Sequence, residues 1–155
     1  MGAQRIPALV FRRLRKLGSL SGAAWRDLVA AQVALLRAQW RVWRAPTGTL
    51  VARAPAADSA GPGDRDRAHA VALAVSRAAE HGLFRPFCLV RALALQSLLT
   101  ARGIQGSSVR VGVRRHHGEF TAHAWITWHG EVLGDSPTHV ARFVEVEDLR
   151  VLAKR

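Results

Sequence analysis

The sequence predicts an α+β fold, with helices filling its first part and an antiparallel sheet following. Three observations point there. Apolar residues recur at steps of three and four from Trp25 to Trp43 and again within residues 71–99. After Gly103 the period changes to two, beginning at Ser108. A His129-Gly130 pair then separates two apolar runs at the spacing of a two-residue hairpin. A chain of 155 residues is long enough for one domain with a real core and too short for two comfortable ones.

Residues 1–20 are basic and interrupted by Pro7 and Gly18, with Ile6, Leu9, Val10, Leu14 and Leu17 spaced for one short amphipathic helix. Ser21 is a fitting cap for the next helix, expected from about Ala23 to Arg44. Within it Trp25, Val29, Val33 (or Gln32), Leu36, Trp40 and Trp43 form one apolar stripe, expected to pack against the domain or a partner protein. Pro, Gly, Ala and Ser dominate residues 45–64, the composition of a linker or long surface loop. A helix is expected from Asp64 or Arg65 to about Glu80, with Val71, Ala74, Val75 and Ala78 on one side and Gly82 as its stop. The expected division is a basic helical segment over 1–57, a linker over 58–64 and a core over 65–155.

The core is organised around Arg85-Pro86-Phe87-Cys88-Leu89-Val90-Arg91, which holds the single cysteine. Pro86 suits a first helical turn, and every residue from Cys88 to about Arg102 is a fair helix former before Gly103. Cys88, Ala92, Leu95 and Leu99 share one face, while Leu89, Leu93 and Leu98 cover much of the rest. Such a helix is buried nearly all round, with its N-terminus at an open surface. A thiol there meets unpaired backbone N–H groups and the positive dipole end, which favour a thiolate.

The strict alternation of Ser108 to Arg114 marks a strand, with Arg115 to Gly118 as a turn. A second strand covers Glu119 to Trp128 and a third begins at Glu131, ending in a loop over residues 135–138. Residues 143–146 suit a short fourth strand, and residues 147–154 a last helical turn or two. His123 stands mid-strand, and Asp135 follows twelve residues later. In a hairpin centred on His129-Gly130, paired residue numbers sum to about 259, so Asp135 would lie opposite Ala124, beside His123. Helix-start cysteine, strand histidine and next-strand aspartate are expected to converge in a cleft that admits a peptide. There the cysteine would attack, the histidine would move the proton, and the aspartate would fix the imidazole tautomer.

The net charge of +12 is unevenly spread: residues 1–57 carry ten Lys/Arg against one acid, Asp27. High Arg and Ala with almost no Lys also suit a GC-rich genome, which discounts that charge as functional evidence. One cysteine excludes an internal disulfide and fits a cytoplasmic protein. The most apolar window, Leu28 to Leu36, falls short of the roughly 20 residues of a membrane span. No secretory signal is expected. Nor is a metal or cofactor, since His116-His117, His123 and His129 lack a zinc-site spacing. Nucleic-acid binding is not expected either, because the tryptophans lie on a helical stripe rather than an exposed sheet.

Taken together, Cys88 to Leu95, Gly103-Ile104, Arg110 to Val113, Phe120 to Ile126 and Gly134-Asp135 resemble the transglutaminase-like cysteine protease of lasso-peptide biosynthesis. The resemblance covers about residues 65–146. It implies a transglutaminase-like, papain-like core, with Cys88 as nucleophile, His123 as base and Asp135 as orienter. Arg91 and Trp125 fit the pattern without an assigned step. The implied activity is removal of the leader from a ribosomally made precursor peptide, after which an enzyme resembling asparagine synthetase closes the macrolactam. The first 57 residues show no winged-helix-like module, so the split form is expected, with a separate leader-binding protein as partner. The rival readings are transglutaminase-like acyl transfer, where an amine replaces water, and a non-catalytic peptide-binding module of the same fold.

Overall fold

The computed structural model describes residues 21–44, 60–116 and 118–146. Three helices come first: α1 (Gly22–Arg44), α2 (Asp64–His81) and α3 (Cys88–Ala101). Then follow β1 (Ser107–His116), β2 (Glu119–Trp128), β3 (Glu131–Leu133), a helical turn α4 (Pro137–Val140) and β4 (Val144–Glu145). This is the α+β order read from the sequence. The expected helix within residues 1–20, residues 45–59 of the Pro- and Gly-rich stretch, and the helical turns expected over 147–154 lie outside the described residues.

The strands form one antiparallel sheet in the order β3-β2-β1-β4. His129 and Gly130 both take positive φ, 46° and 83°, as a type I′ turn requires. The turn pairs Trp128 with Glu131, the register expected from the sequence. β1 runs two residues further than its alternation indicated, with His116 opposite Glu119. The segment expected to be loop contains α4, where Pro137 occupies the first turn after an extended Ser136. Phe143 falls outside β4.

α3 lies between the other helices and the sheet. Val90, Ala92, Leu93, Ala94, Leu95 and Leu99 are buried, in contact with α1, α2, β1 and β2. Ser21 accepts the Ala24 N–H through Oγ at 3.3 Å and so caps α1. The face that α1 buries is small: Ala31, Ala34, Leu35 and Ala38. Here packing against the domain, one of the two expectations for the tryptophan stripe, is overturned. Trp25, Val29, Val33, Leu36, Trp40 and Trp43 are all exposed. The reason is steric: α3 supplies the bulky leucines, and alanines let α1 approach it closely. Spacing revealed an apolar face on α1 without showing which of its two apolar faces the leucines of α3 would accept.

Polar ties hold the layers in register. Arg102 Nη2 donates to Asp27 at 2.6 Å, joining the end of α3 to α1. Glu131 accepts from Arg65 at 3.1 Å and meets His69 Nε2 at 3.0 Å, joining α2 to β3. The Arg65 hydrogen bond is the main reason that the Glu131 carboxyl is held below its ordinary value. Among the described residues no helix is long and apolar enough to cross a membrane.

The two faces of α1 should differ sharply in stability. Leu35→Ala, at a fully buried position, should lower the unfolding free energy by about 2–5 kcal/mol in urea denaturation. Trp43→Ala, on the exposed face, should change it by no more than about 0.5 kcal/mol.

Candidate active site

Cys88 is the first residue of α3, and Phe87 before it is extended (φ −66°, ψ 161°) in the cap position. Pro86 therefore precedes the cap instead of sitting in the first turn, and it fixes the chain's entry into the helix. No side chain caps this end. The first intrahelical bond is Arg91 N–H to Phe87 O at 3.1 Å. The N–H groups of Cys88, Leu89 and Val90 thus have no acceptor within the helix. Cys88 is a free thiol, half-buried, with its apolar side against the core.

A small cavity opens beside it. Cys88 and Arg91 from α3, Trp125 from β2 and Asp135 line it, over an apolar floor that includes Leu95 and Leu133. Ala72 and Ser76 of α2 also reach it, a contribution that nothing in the sequence marked out.

β2 serves two surfaces through its alternation. Ala124, Ile126 and Trp128 belong to the core under the helices. His123 and Trp125 take the other parity and meet the segment after β3. There the His123 ring lies 5.1 Å from the Phe143 ring and 4.9 Å, edge-on, from that of His139. Gly112, opposite His123 in the β1–β2 register, leaves room for this layer. A Cβ there would stand 2.8 Å from the Trp125 ring and 2.9 Å from Phe143 Cβ.

The β3 ladder stops at Leu133, opposite Ile126. Gly134 then takes φ 73°, a left-handed turn that favours glycine, and the chain swings past the edge of β2. This delivers Asp135 to His123: Oδ2 lies 2.6 Å from Nε2. The other carboxylate oxygen accepts the Ser136 N–H at 2.7 Å. An ionised carboxylate only accepts, so this contact selects the Nε2–H tautomer of a neutral ring, the one that leaves the lone pair on Nδ1. The pair is largely sheltered, with side chains 17% and 24% exposed, so the bond is little screened by solvent.

The structure thus brings Asp135 and His123 into one hydrogen bond, and Cys88 and Asp135 into one cavity. Among the described residues no hydrogen bond joins Cys88 to His123, and His123 does not line that cavity. Asp135 is the link between them.

His139 and Phe143 were not singled out in the sequence as neighbours of His123. The Ser136-Pro137 helix start was the available signal. Ligand atoms of His123, Asp135 and His139 lie within 4.8 Å of one another, a donor set that suits a borderline divalent metal. His123 and Asp135 are closer than the roughly 3.3 Å between two ligands of one tetrahedral ion. Their arrangement is that of a hydrogen-bonded pair.

A family model described as "Transglutaminase-like superfamily" matches residues 32–148, the greater part of the chain and all of the site. No curated protein matches, and no solved structure matches.

Gly134→Ala should strain the turn by about 1–2 kcal/mol and press its methyl on Leu95 Cδ2, 3.2 Å away. The expected readouts are a lower urea midpoint and a weakened or missing downfield imidazole proton of His123 in proton NMR. Asp135→Ala should remove that resonance.

Proposed function

The chain belongs to the transglutaminase-like superfamily, and from that premise we propose that it is a cysteine peptidase. The superfamily generally includes cysteine peptidases and acyltransferases. The observation that carries the reading is the sheltered His123–Asp135 hydrogen bond of 2.6 Å, whose carboxylate residue shares a cavity with the helix-start thiol of Cys88.

The residues divide the work as follows. With Nε2 held by Asp135, Nδ1 of His123 is the free base. The reaction requires Nδ1 and Sγ to meet when a peptide occupies the cleft, through rotation of the Cys88 side chain with the ring still held by Asp135, since such contacts tighten in the substrate complex. The imidazole takes the thiol proton and Sγ attacks the scissile carbonyl carbon. Charge builds on the carbonyl oxygen, and the unpaired N–H of Cys88 is placed to receive it. As the C–N bond breaks, the imidazolium gives its proton to the departing amine, leaving a thioester on Cys88. The imidazole then takes a proton from water, whose oxygen attacks the thioester, releasing the acid and restoring the thiol. Asp135 keeps the ring in the right tautomer and stabilises the imidazolium.

The substrate class we propose is a ribosomally made lasso-peptide precursor, with cleavage at the leader–core junction. The support is the motif set Cys88 to Leu95, Phe120 to Ile126 and Gly134-Asp135 described above. On this reading a separate leader-binding protein presents the precursor, and an asparagine-synthetase-like enzyme uses the freed core. The reaction belongs in the cytoplasm, where the thiol stays reduced.

The test is incubation of candidate precursors with their leader-binding proteins, followed by mass spectrometry. Wild type should release leader with a free carboxylate. Cys88→Ala and His123→Ala should release none. Asp135→Asn should fold normally and slow cleavage on the order of 10²–10⁴-fold. Leader release by Cys88→Ala at the wild-type rate would remove the assignment, and an amine adduct at the cleaved carbonyl would make the protein a transferase.

A further inference from the structure

The bulky face of α1 has a composition that specifies what it binds. Trp25, Val29, Val33, Leu36, Trp40 and Trp43 are between 40% and 76% exposed. At about 100° per residue they cover an arc of only about 80°, on the side of the helix away from Ala31, Ala34, Leu35 and Ala38. From Val29 to Trp43 they alternate steps of four and three, the seam along which a second helix packs. Arg26, Arg37, Arg41 and Arg44, all exposed, fall together on one flank, and Gln32 and Gln39 border the other. The helix's one acid, Asp27, is turned inward and held by Arg102 at 2.6 Å. Arg44 is stacked over Trp40, 3.9 Å from the ring centre, which keeps part of the basic flank against the apolar strip.

We propose that this face docks an acidic amphipathic helix of another protein. Its apolar stripe would pack on the α1 seam, and its carboxylates would meet the arginine flank. Charge decides against a second copy, because antiparallel pairing of two α1 seams would bring together two arginine flanks that have no acidic partner among the described residues. Width decides against a bilayer, because a helix lying in lipid presents a broad apolar face with basic residues on the polar side. Here the stripe is the width of a single helix contact, and the arginines are on one flank.

The position of the face gives the docking a purpose. Gln32 Oε1, at the edge of the stripe, accepts the Leu83 N–H at 3.4 Å. Leu83 and Phe87, 80% and 78% exposed, belong to the loop that runs directly into Cys88. A partner seated on α1 therefore lies beside the approach to the thiol. The docking proposal rests on the α1 face alone and holds whether or not Cys88 is reactive.

The test uses the full chain and a synthetic 21-residue helix with Leu along its seam and Glu at the flanking positions, with a Lys-flanked copy as control. Binding is followed by anisotropy of the labelled peptide. The Glu peptide should bind, and binding should weaken with added salt. Leu36→Glu/Trp40→Glu and Arg37→Glu/Arg41→Glu should each weaken it about tenfold or more, equivalent to about 1.4 kcal/mol, with unchanged circular dichroism. The arginine-reversed variant should now prefer the Lys peptide. Equal binding of the two peptides by wild type, or binding of neither, would overturn the proposal. So would binding only to phosphatidylglycerol vesicles, or a wild-type dimer in sedimentation that Leu36→Glu/Trp40→Glu dissolves.

Discussion

A helix buried along its whole length can meet a macromolecular substrate only at an end. α3 is close to such a helix, exposed only at Thr100 and Ala101, with leucines and alanines packed on α1, α2 and the sheet. Its polar side chains beyond the first residue are Arg91, Gln96, Ser97 and Thr100, and its one thiol stands at the residue where the helix begins. Burial of α3 therefore stabilises the fold and at the same time fixes the thiol at a boundary between core and solvent. The unpaired N–H groups of the first turn add a positive field there at no further structural cost.

The proposed chemistry also requires a base held in one tautomer, and the feature that would supply it is a strand that ends early. If β3 had continued, its residues would have paired along β2 and Asp135 would have stayed in the ladder opposite Ala124. Gly134 ends the ladder, and the carboxylate passes the free edge to reach His123 on the other parity of β2. The same swing carries His139 and Phe143 over the imidazole and covers it. Gly112 completes the arrangement by leaving space beneath Trp125 and Phe143. A short run of chain thus supplies the hydrogen-bond partner of the imidazole, its cover and the strand connection.

Much of this was legible in the sequence because it rests on local rules. The alternation of β2, the His129-Gly130 turn and the Gly103 stop each have a cause within a few residues, and their bounds follow closely. The nearness of Asp135 to His123 was legible through hairpin arithmetic, although the contact is made around an edge and not across a ladder. What the sequence hid was set by competition between distant surfaces. Two faces of α1 are apolar, and only the shape of α3 decides that alanines go inside and tryptophans outside. α4 was hidden because four residues carry too little periodicity to register, and the Ser136-Pro137 start was outweighed by the turn-like composition around it. The reach of the cavity to Ser76 depends on how α2 lies on α3, which no local pattern encodes.

The central claim is that Cys88 and the His123–Asp135 pair act as one chemical unit. Its most direct test is the rate of Cys88 alkylation by iodoacetamide across pH 5–9, in the wild type and in His123→Ala. The account predicts that wild-type Cys88 reacts at pH 6 well above the rate of a free thiol peptide, and that removing the imidazole abolishes the excess. Identical profiles in the two proteins, or a wild-type thiol no faster than the peptide, would contradict it.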